Sequence, residues 1–226
     1  MPTRSSRPSA SAELRSRVLA AAQAAPSATR AQGMRATRGV VLLALVFAAA
    51  LFFALGGVPH GVGRAPAVFA SSMSVWVLAA LLSLWAILTP ARTPMGRKRP
   101  WLLAVALGTP ALVYALMLGL SGALHLANAA LTAHRSASAC LGLTLAAAGL
   151  PMVLLLRARR GTDPVHPAAQ GAAFGVAFGA LAGVMVCLWC PDVTPLHIAL
   201  GHVLPLLLLA GLGAGLGPRV LGLRAP

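Results

Sequence analysis

Reactive chemistry in this 226-residue chain has few carriers: three cysteines, six histidines and three carboxylates. Cys187 and Cys190 form a Cys-Leu-Trp-Cys unit, followed closely by Pro191, Asp192, Pro195 and His197. Cys140 stands apart, as do His60, His125, His134 and His202. Thiols at such spacing can exchange with one another or join with imidazole to hold a soft metal such as Zn or Cd. Three thiols allow three disulfide pairings, each leaving one over. Cys140, Cys190 and Cys187 are therefore the candidate reactive thiols, and Cys140, Cys190 and His197 the candidate metal ligands. Asp163 and His166 sit beside Pro164 and Pro167 and read as turn residues.

The elements that must position these groups are set by composition. Hydrophobic types make up 58% of the chain, charged residues 9%, and mean hydropathy is +0.84. An ordinary soluble domain carries about 25% charged residues, so a soluble globular enzyme is excluded, and disorder fails on hydropathy. Six charge-free runs follow, at about 39–58, 66–89, 101–120, 137–156, 168–189 and 198–217. Each is long enough to cross a hydrocarbon core of about 30 Å as a helix at roughly 1.5 Å per residue. They are continuously apolar rather than alternating, which selects helices over β-barrel strands. The expected fold is all-α: a polytopic bundle of six transmembrane helices, in a domain spanning 39–217.

Basic residues set the expected orientation. Arg4, Arg7, Arg15, Arg17, Arg30, Arg35 and Arg38 precede the first run. Arg92, Arg97, Lys98 and Arg99 lie between the second and third, Arg157, Arg159 and Arg160 between the fourth and fifth, and Arg219 and Arg224 at the end. The alternate loops hold only Arg64 and Arg135. The positive-inside rule then puts both termini in the cytoplasm, and Cys140 and Cys190 at the outer side. Descending from Cys140 to Arg157 covers about 25 Å and climbing from Pro167 to Cys190 about 35 Å, so the two cysteines end near one outer interface. The net charge of +15 is spent on topology and lipid headgroups, so direct nucleic-acid binding is not expected.

Residues 1–38 form a basic cytoplasmic segment, expected to be largely flexible, and 218–226 a short tail. Within the former, Ser11 to Ala24 has a weak helical pattern. Leu14, Arg15, Arg17 and Val18 there are candidates for docking a partner. In the fifth run, Gly171, Gly175, Gly179 and Gly183 recur every four residues and make one stripe for close helix packing, against the sixth helix or against another copy. Gly211 and Gly215 offer a shorter stripe in the sixth run, offset by Gly213 and Gly217. Pro110, Pro151 and Pro205 interrupt the third, fourth and sixth runs.

From Cys140 to the end the chain resembles the NrsF family, six-span inner-membrane proteins named as negative regulators of sigma F. The residues that carry the resemblance are Cys140-Leu-Gly-Leu, Pro151, an Arg-rich turn, the Gly/Ala-rich fifth run ending in Cys190-Pro191-Asp192, Pro195, and Leu216-Gly217-Pro218-Arg219. The first half agrees in span count and cytoplasmic start. The resemblance implies an anti-sigma factor in a bacterial inner membrane. It would hold a sigma factor of the extracytoplasmic-function type, with Cys140 and Cys190 needed for response to heavy metals or oxidants. It implies no enzyme activity and no cofactor. This chain departs from the family at Trp189, where His is frequent, at His197 to His202, commonly aromatic-rich, and in its extra Cys187. The rival from another class is a membrane thiol oxidoreductase using Cys187 and Cys190 as its redox pair.

Overall fold

The computed structural model describes residues 16, 30–57, 66–89, 98–125, 136–160, 165–190 and 192–222. These residues build six long apolar helices and no strand: α1 (Arg30–Ala54), α2 (Pro66–Leu88), α3 (Arg99–His125), α4 (Ala137–Ala158), α5 (Pro167–Trp189) and α6 (Pro195–Val220). The all-α bundle expected from the charge-free runs is the observed architecture. Helix α1 begins at Arg30, ahead of the apolar run, so the residues just before Gly39 continue the helix. Exposed Arg35 and Arg38 keep their charged heads clear of the core while the backbone continues to satisfy its own hydrogen bonds.

Helix α5 lies at the centre. Every residue from Gln170 to Ala180 is buried, because a Gly/Ala-rich helix is thin enough for neighbours on all sides. It packs against α2, α3, α4 and most closely α6, while α1 leans on α4. By contrast α1 buries one narrow strip, Thr37, Val41, Ala44 and Ala48, at helical spacing. Leu42, Leu78, Leu107, Leu150 and Leu212 project outward from five different helices. In water such a surface would drive aggregation; in a bilayer it is the solvated face.

The glycine stripe explains the close approach of α5 and α6. A Cβ at Gly171 would run into the Gly213 carbonyl, one at Gly175 into the Leu209 carbonyl, and one at Gly217 into the Pro167 carbonyl. Gly183 faces the Trp76 ring of α2 instead, and Gly179 faces Leu206 and Leu209 side chains. So the four-residue stripe serves two neighbours. In α6 it is Gly213 and Gly217 that pack, while Gly211 and Gly215 have nothing within 4 Å of where a Cβ would sit.

Prolines act differently in different helices. Pro110 and Pro151 lie inside α3 and α4, which continue past them. In α6 the segment Ile198–Val203 is π-helical and Pro205 follows at once. The Leu204 N–H donates to the Ala199 carbonyl, five residues back. Pro205 has no N–H and its ring would crowd the carbonyl four residues earlier, that of Gly201, so widening the preceding turn relieves the clash.

At the arginine-bearing end, the Arg159 guanidinium donates to Thr37 Oγ1 at 3.1 Å and lies 5.8 Å from the centre of the Phe174 ring. This joins α1, the end of α4 and the start of α5.

Candidate functional site: a buried cluster of two thiols and two imidazoles

The opposite end of the bundle gathers the sulfur and imidazole groups. Cys140 lies in the first turn of α4, its carbonyl accepting a hydrogen bond from the Thr144 hydroxyl at 2.9 Å. Cys190 follows the last residue of α5, where the chain turns extended (φ −93°, ψ 118°) and its N–H still donates to the Val186 carbonyl at 2.7 Å. This departure from the helix aims Cys190 across the end of the bundle rather than along the α5 surface.

Asp192 then organises the return into α6. Its Oδ1 accepts from the Thr194 N–H at 2.8 Å, a turn that short carboxylate side chains favour. Its Oδ2 faces His197 Nδ1 at 3.4 Å. A carboxylate there favours the tautomer with the proton on Nδ1 and leaves the Nε2 lone pair outward. His197 Nε2 lies 3.1 Å from Cys190 Sγ.

His202 joins because of the π turn. In an α-helix, residues five apart point about 140° away from each other. A turn closed by an i→i+5 bond brings them to nearly one face. Accordingly the His197 and His202 rings stand 5.2 Å apart, and the Trp76 ring lies 5.8 Å from that of His202. Gly201 completes the floor: a Cβ there would sit 3.2 Å from both Cys140 Cβ and His197 Nε2.

The ligating atoms of Cys140, Cys190, His197 and His202 all lie within 4.8 Å of one another, and all four residues are buried. Cys190 sits outside the spanning helices. A hydrogen bond from Cys140 holds its thiol well below the usual thiol range, helped by His197 and His202 and opposed by burial. Thiolate character is what both oxidants and metals require.

Of the candidates named from sequence, Cys140, Cys190 and His197 are thus brought together. Cys187 is not a member of the group: one turn back on α5, it is buried in the apolar cluster of Trp76, Val113 and Ile198. The cysteine that hydrogen-bonds Cys190 is Cys140, fifty positions away, rather than the nearer one of the Cys-x-x-Cys pair. His202 is hidden in the sequence because α-helical counting puts it deeper than His197 and on another face. The signal that could have found it is Gly201 with Pro205, a pairing that disfavours regular α-helix. Leu14, Arg15, Arg17 and Val18 lie outside the described residues.

Searches of curated proteins and of solved structures find no match. A protein-family model does match, over residues 19–222, and so takes in α1 to α3, where the resemblance rested on span count and a cytoplasmic start. With six apolar helices and a match across nearly the whole chain, this protein belongs to the NrsF family, the negative regulators of sigma F.

Proposed function

We propose that the protein is a multi-pass anti-sigma factor of a bacterial inner membrane. It holds a sigma factor of the extracytoplasmic-function type at its cytoplasmic face and releases it when Cys140 and Cys190 are modified at the outer face. The observation that carries the sensing part is the convergence of two cysteines from different helices, with His197, in one buried cluster. Oxidation joins the two sulfurs, two electrons and two protons passing to the oxidant; a soft metal ion instead displaces the thiol protons. Either event ties the start of α4 to the junction of α5 and α6.

Transmission follows from the packing. Helices α4 and α5 run from the cluster to the Arg159, Thr37 and Phe174 contact beside the basic N-terminal segment. Along the same helix, α5 meets α6 through backbone contacts lined by glycine, and elements packed so closely shift as rigid bodies rather than deform continuously. Residues Leu14, Arg15, Arg17 and Val18, and the loop at Arg97 to Arg99, are the proposed sigma-contacting positions. Sigma release requires modification to favour the released arrangement by a few kcal/mol.

The test is a sigma-dependent reporter in cells, combined with co-purification from mild detergent. Wild-type protein should retain a sigma factor at rest and lose it on treatment with a thiol oxidant or a soft divalent metal. The Cys140→Ser/Cys190→Ser variant should retain it under both. A sigma factor still released from that variant removes the sensing role of the two cysteines. Failure of any sigma factor to co-purify with intact wild-type protein removes the partner.

A further inference from the structure

We propose that Cys140, Cys190, His197 and His202 are a resident binding site for one tetrahedral divalent ion of the zinc class, and that the π turn at Ile198–Val203 is the element that completes it. The four residues come from three elements, the start of α4, the end of α5 and the start of α6, yet their ligating atoms lie within 4.8 Å of one another. Zinc bonds of about 2.0 Å to nitrogen and 2.3 Å to sulfur put tetrahedral ligand atoms roughly 3.3–3.8 Å apart. The His197 Nε2 to Cys190 Sγ separation of 3.1 Å already matches within a few tenths, and the widest pair has about 1 Å to close. Two thiolates and two imidazoles in a tetrahedron select zinc over hard cations or octahedral ions.

Two further observations point to a ligand. His202 is 96% buried by its 4% relative exposure, and its Nδ1 has no hydrogen-bond partner. An unpaired nitrogen on a buried imidazole costs free energy, which coordination of an ion by that nitrogen would recover. Asp192 supports His197 through Nδ1, the carboxylate–histidine arrangement that orients a metal-binding imidazole and raises its basicity. Gly201 keeps the space beneath the four atoms clear.

A filled site would fasten the junction of α5 and α6 to the start of α4 and hold α6 in its π register. Removing the ion, by oxidation of its thiolates or by a softer metal, frees both. For that regulatory consequence the inference rests on the sensing reading above; the binding itself does not.

Full-length protein in detergent, stripped of metal and titrated with Zn²⁺, should take up one ion per chain. Co²⁺ in its place should give a thiolate-to-cobalt charge-transfer band and the intense visible bands of a tetrahedral ion. X-ray absorption of the wild-type zinc form should count two sulfurs and two imidazoles, independently of any variant's folding. His202→Ala should weaken Zn²⁺ binding at least tenfold, Cys187→Ser should leave it unchanged, and His202→Cys should retain Co²⁺ with a stronger charge-transfer band. No stoichiometric Zn²⁺ uptake, or a wild-type coordination shell with a single imidazole, overturns the site. If zinc fails to bind while oxidant still releases a sigma factor, this inference falls and thiol sensing stands. Stoichiometric binding without sigma release under any stimulus does the reverse.

Discussion

At the scale of single residues, the end of the bundle is specified by a handful of side chains with different jobs. Cys140, Cys190 and the two imidazoles supply donor atoms, whereas the Asp192 carboxylate faces His197 Nδ1 and holds the turn that leads into α6. Losing its charge while keeping its shape should therefore act through the imidazole. Asp192→Asn should lower Zn²⁺ affinity by about 10–100-fold, the usual effect of removing a carboxylate behind a metal-bound histidine, with helix content unchanged. Competition against a chromophoric chelator, alongside circular dichroism, measures both; an affinity equal to wild type would show that His197 is held without it. Cys190 and Asp192 were legible as chemistry from their types and neighbours. The partner of Cys190 was not, because a cysteine three residues away and one fifty residues away are equally visible in a sequence.

At the scale of elements, the glycines decide which helices meet. Gly175 lies against the Leu209 carbonyl, and backbone cannot move aside as a side-chain tip can. Gly175→Leu should force α5 from α6 and cost about 3 kcal/mol, the upper part of the usual range for overpacking. Gly211→Leu, on the open face of α6, should change stability by about 0.5 kcal/mol or less, or raise it slightly through helix propensity. Thermal unfolding in detergent separates the two; equal losses would mean that the stripe is not the α5–α6 seam. A four-residue glycine spacing announces a packing face. It does not say that Gly183 meets Trp76 while Gly171 and Gly175 meet α6, since that depends on which helix lies beside each turn. The π turn is hidden for a related reason: α-helix is the default register, and a proline such as Pro205 announces an interruption without saying that the turn before it widens.

For the whole molecule, the proposed orientation puts Cys140 and Cys190 outside and both termini inside. The basis is sixteen basic residues in one set of loops and termini against Arg64 and Arg135 in the other. A green fluorescent protein fused after Pro226 should fluoresce and alkaline phosphatase at the same position should be inactive. A fusion in the 126–135 segment should give the opposite pair of results. The same result from both positions would contradict the alternation on which the outer-face signal depends. Orientation matters to mechanism because thiol modification and sigma binding are proposed at opposite ends, linked through α4, α5 and the Arg159 contact with Thr37.

What the sequence determined by itself was the membrane class, the number of helices and the residue types able to react. Those follow from local quantities: the length of an apolar run, the absence of charge within it, and the rarity of cysteine, histidine and acid among 226 residues. Only the tertiary structure decided that Cys140 rather than Cys187 stands with Cys190, and that His202 stands with His197. The physical reason is that both depend on non-local geometry. One needs α4 packed against the centrally placed α5, and the other needs a single turn of α6 widened ahead of Pro205, turning two imidazoles onto one face.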